Sequence, residues 1–278
     1  PHREAQIDAR RRVHRLAALL GPLPSARAAA AAGPAAVAAL GDAAGCACAA
    51  CGITVDFAPV VDVAHESGTL GGEDRCFGAN VEEVTALAGA FLTALEARGV
   101  AGCLKHFPGL GSGEVDSHRE LPELTPCVGE DAAVFARLAS ASRAVMVAHA
   151  MAPSLGEGVR PASLSARVVG RLRRCPHGRV IADDLEMGAL AAFGTLGERA
   201  AAALAAGCDQ VLVCNALDAR REVVEHVRSA AAADPGLAAR LRAARGRCLA
   251  FGAATPPPVT WEEAERAAER ARALAAPA

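Results

Sequence analysis

Tyrosine is absent from this 278-residue chain, tryptophan occurs once, and aromatics make up only 3% of it. A stacking platform for bases has almost no rings to be built from. An excess of positive charge is missing too. The 29 Lys and Arg stand against 31 Asp and Glu, a formal net charge of -2, which argues against a general nucleic-acid or anionic-lipid surface. No apolar run reaches the roughly eighteen residues of a membrane helix. The alanine-rich stretch 26–50 is broken by Gly33-Pro34 and Gly41-Asp42 and has no signal-peptide flanks. Dinucleotide and phosphate-loop glycine motifs are both absent. Gly109, Gly111 and Gly113 alternate at the wrong spacing for either. Ten cysteines are present, yet Cys46, Cys48 and Cys51 have no matching second cluster, so no four-ligand zinc site is expected. They read as small buried thiols in a reducing compartment, and the expectations are a cytoplasmic location, no cofactor and no metal.

The chain does have the means to fold. Hydrophobic residues are 52% and charged residues 22%, enough for one large core. From residue 52 onward, apolar β-branched runs alternate with helical patterns. Strands are predicted at 53–61, 100–104, 144–148, 179–182 and 210–214. Asn80-Val81-Glu82-Glu83 reads as a capping box opening a helix whose apolar face holds Val84, Leu87, Ala88, Phe91 and Leu95. Further helices are predicted at about 129–140, 165–174, 195–207, 218–231, 235–251 and 260–276. Buried strands separated by helices predict a parallel sheet, either open or closed into a barrel.

The polar residues help to choose. Asp62, Lys105-His106, His149, Asp183-Asp184 and Asn215 each fall at or just after the carboxyl end of a different strand. Chemistry spread around the ends of nearly all strands is the pattern of a (β/α)8 barrel, whereas an open sheet concentrates it at one switch point. The densest segment runs from Lys105 to His118, where one lysine, two histidines and two carboxylates are interleaved with glycines. Asp116 and His118 are two residues apart. In a turning loop the carboxylate can reach the imidazole, fix its tautomer and raise its basicity. The glycines around them predict a mobile loop.

Lys105-His106-Phe107-Pro108-Gly109 followed by Asp116-Ser117-His118 resembles the signature of family 3 glycoside hydrolases. The nearest branch is the single-domain bacterial β-N-acetylhexosaminidases of peptidoglycan recycling. The segments 55–63, Asp74-Arg75-Cys76-Phe77-Gly78, Ala148-His149, 181–187 and 205–215 also resemble that branch, in the same order. The resemblance implies a TIM barrel and a retaining exo-hydrolase acting on terminal β-linked N-acetylhexosamine of muropeptides. It implies Asp183 as nucleophile and His118 as acid/base assisted by Asp116. Asp62, Arg75, Lys105, His106 and His149 fall at substrate-binding positions.

The chain departs from this pattern at its start. The family barrel has eight strands, three of them ahead of the one at 53–61, and the residues in that place here read mostly as helix. Two strands have no counterpart. Where the third leads into an acidic, glycine-containing stretch, this chain has Ile7-Asp8-Ala9-Arg10-Arg11-Arg12-Val13-His14-Arg15-Leu16. The expectation is one barrel domain over 1–278, truncated in its first two to three strands, with open sheet edges that a partner chain could cover. Two alternatives follow, an inactive sugar-binding homologue and a family 3 β-N-acetylglucosaminide phosphorylase. Ala182 and Glu186 are smaller departures.

Overall fold

Four apolar runs pair in parallel and in chain order: β1 (Cys103–Phe107), β2 (Ala144–Val147), β3 (Arg179–Asp184) and β4 (Gln210–Leu212). The structure, a computed structural model, describes residues 20–172, 174–251 and 256–276. Residues 53–61 run beside β1 as expected, but only through two isolated parallel bridges, Val55 to Ala101 and Val60 to Lys105. Pro59 lies between the bridges and has no N–H for the ladder, so the pairing is interrupted. Hydrogen bonds still join the two segments, from Cys103 N–H to the Ala58 carbonyl at 2.8 Å and from Val61 N–H to the Lys105 carbonyl at 2.8 Å. The strand predicted at 100–104 lies further along the chain, so Lys105 and His106 are part of β1 and not of a loop behind it.

The side chains of the sheet sort by alternation. Leu104, Val145, Val147, Val180 and Ala182 belong to the main core beneath the helices. Cys103, Ala144, Met146 and Ile181 cluster on the opposite face with Phe251, and Val55, Phe57, Ala101 and Leu212 pack against them. That second cluster corresponds to the side-chain filling of a barrel interior. A parallel sheet covered on both faces and alternating with helices is a partial (β/α)8 barrel. Among the described residues nothing pairs with the outer edge of β4 or of 53–61. The stretch from Ile7 to Leu16 lies outside the described residues.

The alanine-rich stretch gives α1 (Ala26–Ala31) and α2 (Pro34–Ala50), separated at Gly33, whose φ is +99°. The expected break at Gly41-Asp42 does not occur. Gly41 instead lets α2 lie against α3 (Val81–Glu96), because a Cβ there would stand 2.3 Å from the Phe91 carbonyl oxygen. Asp42 accepts from Arg98 at 2.7 Å and also pairs with Arg270. The predicted apolar face of α3 is buried throughout, and Asn80 accepts the Glu83 N–H at 2.8 Å. Only half of that capping box forms, since the Glu83 carboxylate takes the Ala79 N–H.

The helix predicted at 129–140 is divided into a single turn, Val128–Asp131, and α4 (Ala133–Leu138). α5 (Ala166–Leu172), α6 (Leu196–Ala206), α7 (Ala219–Ala233), α8 (Pro235–Ala250) and α9 (Trp261–Ala275) follow. The Thr195–Glu198 box that opens α6 is complete. An alanine stripe on α9 packs against Ala39, Ala43, Cys46 and Ala47 of α2. Buried Asp209 ties α8 to the sheet, accepting the Val180 N–H at 3.0 Å and Arg247 Nε at 3.0 Å. All ten cysteines are free, and burial pushes the thiols of Cys76, Cys208 and Cys214 up to about 12. No described helix is long and apolar enough to cross a membrane.

Candidate active site

Two irregularities in the sheet set the direction of its polar side chains. Leu104 pairs with Val145 and Phe107 with Val147, which leaves one extra residue on β1. Ile181 pairs with Gln210 and Asp184 with Leu212, which leaves one extra residue on β3. Bulges of this kind re-aim side chains and recur beside active sites. The first falls at Lys105-His106, whose peptide bond is cis, and the second at Ala182-Asp183. Both lie at the carboxyl ends of their strands, the end at which barrels carry their chemistry.

Asp62 is fully buried. Its carboxylate accepts the His106 N–H at 3.1 Å and the Leu110 N–H at 2.7 Å, and one oxygen lies 2.8 Å from His106 Nδ1. It is therefore under the Lys105–Gly113 segment and not on the cleft surface. His106 is held by this pair with its ring at the cleft, and Lys105 is buried just behind.

Asp183 lines the cleft at the end of β3. Burial alone would raise its pKa. His106, His149, the Asp184 N–H at 2.8 Å and Lys105 together outweigh it, and hold the carboxyl below its usual range. His149 lies beneath and is fully buried, so burial pushes its pKa down and favours the neutral ring. Nε2 stands 3.0 Å from the Asp184 carbonyl, which can only accept, so Nε2 carries the proton and Nδ1 accepts from the Ser163 hydroxyl at 2.7 Å. Both nitrogens are used within the protein, and His149 does not line the cleft. The Asp184 carboxylate turns away to accept the Glu186 N–H at 3.2 Å, and burial raises its pKa.

On the same cleft, His118 Nδ1 is 2.8 Å from Asp116 Oδ1, which also accepts the His118 backbone N–H at 3.0 Å. Burial raises the Asp116 pKa, but these two contacts dominate and lower it overall. An ionised Asp116 places a proton on Nδ1 and leaves Nε2 as the exchanging nitrogen. The loop is not loose at this point. The Ser117 and His118 carbonyls accept the N–H groups of Ala189 and Gly188, at 3.2 and 2.9 Å, in the turn that follows Asp183-Asp184. Gly188 is required for this docking, since a Cβ there would stand 2.3 Å from the Arg119 carbonyl oxygen. The loop predicted to be mobile is thus hydrogen-bonded, in this structure, to the segment that carries Asp183.

Arg75 also lines the cleft, and its buried Nε has no hydrogen-bond partner among the described residues. Glu73, another lining residue, is 3.7 Å from the Arg75 guanidinium and went unnoticed in the sequence. A carboxylate two residues from a candidate sugar-binding arginine was the available signal. Glu186, a departure from the family pattern in the sequence, has a place in the structure. It accepts the Asn215 and Ala216 N–H groups at 2.6 and 2.8 Å, fixing the loop after β4. The cleft therefore brings together Arg75, His106, Asp116, His118 and Asp183, with Asp62, Lys105 and His149 as their support. A carboxylate kept ionised facing an imidazole with one free nitrogen can perform nucleophilic attack with proton transfer.

Comparison with known proteins identifies the family. Residues 7–242 match the family described as glycosyl hydrolase family 3 N terminal domain. A beta-hexosaminidase of Pseudomonas aeruginosa is 39% identical over 173 residues, covering 60% of this chain and 51% of that protein. One from Methylococcus capsulatus is 37% identical over 206 residues, covering 71% and 60%. The chain thus spans 51% to 60% of the length of these relatives. The crystal structure of a beta-N-acetylhexosaminidase from Beutenbergia cavernae superposes with a TM-score of 0.75 at 30% identity, covering 83% of this chain and 72% of that one. The motifs, the sheet and the match over most of its length make this chain a member of glycosyl hydrolase family 3.

Proposed function

We propose that the chain forms the catalytic barrel of a retaining exo-β-N-acetylhexosaminidase, with Asp183 as nucleophile and His118, oriented by Asp116, as acid/base. In the first step the Asp183 carboxylate bonds to the anomeric carbon and the glycosidic C–O bond breaks. The leaving oxygen takes the Nε2 proton of the His118 imidazolium. In the second step neutral His118 accepts a proton from water, whose oxygen displaces Asp183 and leaves the anomeric configuration as it began. Asp116 stabilises the imidazolium without itself taking the proton. Arg75 and His106 bind sugar hydroxyls in this reading, while Lys105 helps to hold the Asp183 carboxylate ionised and Asp62 and His149 act through the groups they hold.

The observation that carries the proposal is that one cleft is lined by a carboxylate with a lowered pKa and by an imidazole already tied to its orienting carboxylate. The names of the Pseudomonas and Methylococcus relatives support the hexosaminidase class. Muropeptide-derived amino sugars are the proposed substrates. Ten free thiols fit a reducing compartment, for which we take the cytoplasm.

The test is release of chromophore from an aryl β-N-acetylglucosaminide by the parent chain and by Asp183→Asn, with the first-formed anomer read by NMR. The β-anomer from the parent and loss of release in the variant are expected. A well-folded parent that releases nothing sinks the proposal. Sugar 1-phosphate accumulating when phosphate is added would instead identify a phosphorylase.

A further inference from the structure

Beside the cleft but outside its lining, three metal-ligating side chains converge from two separate segments. His65 Nε2 lies 2.8 Å from Asp131 Oδ2, Cys127 Sγ lies 3.8 Å from either nitrogen of His65, and one donor atom from each residue falls within 4.8 Å of the others. Cys127 and Asp131 are four residues apart across one helical turn, closed by the Asp131 N–H donating to the Cys127 carbonyl at 3.1 Å. That spacing puts both side chains on one face. His65 comes from the loop after 53–61.

We infer that His65, Cys127 and Asp131 form a binding site for a divalent zinc-type cation, with a fourth position left for water. The donor set is one imidazole, one thiolate and one carboxylate, the combination zinc favours over magnesium or calcium. Tetrahedral zinc with ordinary bond lengths needs donor atoms about 3.3–3.6 Å apart. The His65–Asp131 contact therefore opens from 2.8 Å, and Cys127 Sγ, 3.8 Å from the ring nitrogens and in a set that spans at most 4.8 Å, closes toward the other two. The charges also balance, because a thiolate and a carboxylate neutralise the dication at a place where Asp131 is only 4% exposed. Binding releases the Cys127 thiol proton to solvent, and the ring proton that faces Asp131 moves to the other imidazole nitrogen, so that His65 binds as a neutral ring. The Thr125 hydroxyl, in contact with Cys127 Sγ, is placed to support the thiolate.

The site adjoins the cleft without belonging to it. Thr69, Leu70, Glu73 and Arg75, which line the cleft, follow His65 in the same segment. Gly109, at the end of the Lys105 segment, lies so near that a Cβ there would stand 2.9 Å from Asp131 Cβ. The cation would clamp the Arg75-bearing segment to the turn at Val128–Asp131. Sequence spacing could not expose this set, because His65 is separated from Cys127 by 62 positions and from Asp131 by 66.

Metal-stripped protein is titrated with cobalt(II) as a spectroscopic probe, then with zinc(II) against a chromophoric chelator. The expected result is one equivalent of cobalt giving tetrahedral visible bands and a thiolate charge-transfer band, displaced by zinc, with a raised Tm. Cys127→Ser should abolish the charge-transfer band, and Asp131→Asn should weaken zinc binding at least tenfold. Joint replacement of Cys46, Cys48 and Cys51 by Ser should change neither. No stoichiometric binding by folded parent, or binding that survives in folded Cys127→Ser and Asp131→Asn unchanged, overturns the inference.

Discussion

Asp62 and His106 join the first two parallel segments of the sheet at the mouth of the barrel, with Asp62 Oδ2 2.8 Å from His106 Nδ1. The same carboxylate takes the backbone N–H groups of His106 and Leu110. Asp62→Ala leaves these donors buried without an acceptor and should cost about 3–5 kcal/mol of stability. Asp62→Asn, which keeps the shape and one oxygen, should cost less. Urea denaturation of both variants measures this, and a loss below about 0.5 kcal/mol in the alanine variant would contradict the assignment.

His149 makes stability depend on pH. Its folded pKa is depressed by burial, so its contribution is present above the unfolded value of about 6.5 and is lost as pH falls toward the folded one. Stability should therefore decline on acidification from about pH 6.5. His149→Gln retains a donor toward the Asp184 carbonyl without the titration, and its stability should fall less steeply over the same range. Parallel slopes for the two proteins in chemical denaturation would refute this.

Gly188 and Gly41 separate catalysis from packing. A Cβ at either would stand 2.3 Å from a backbone carbonyl oxygen, of Arg119 and Phe91 respectively. Overpacking of this kind costs about 1–3 kcal/mol. Gly188→Ala moves the loop that carries His118, so kcat should fall at least tenfold. Gly41→Ala moves only α2 against α3, so Tm should fall while kcat per folded molecule holds. Equal kinetic effects from both would count against the docking of the His118 loop.

Asp116→Asn removes the anion that orients and stabilises the His118 imidazolium. A fall in kcat of about 10²–10⁴ is expected, with the alkaline limb of the pH–rate profile moved to lower pH. Because the Asp116 and Asp183 pKa values are both lowered, the acid limb in the parent should lie below about pH 4. A variant with reduced kcat and an unmoved alkaline limb would mean that Asp116 acts only as scaffold.

Much of the fold was legible because the apolar runs at β2, β3 and β4 are continuous and the helices between them carry clear faces and caps. The end of β1 was misread because Lys105 and His106 look like loop residues. What puts them in the strand is pairing to residues 53–61 and β2, a long-range fact. Gly41-Asp42 looked like a helix break because periodicity does not distinguish a breaker from a close helix contact. His118, Asp116 and Asp183 were chosen from motif order, and the structure has all three lining one cleft. The buried position of Asp62 and His149 was not legible, since burial depends on chains packed from elsewhere. Nor were the two bulges, which arise from register between strands.

The most direct measurement is peptide mapping by mass spectrometry after trapping with a 2-deoxy-2-fluoro glycosyl fluoride, whose glycosyl–enzyme ester turns over slowly. The label should sit on the peptide containing Asp183 and be assigned to that side chain, with none in Asp183→Asn. An ester on Asp184 or any other residue, or turnover of a natural substrate with no trapped ester, would contradict the proposed site.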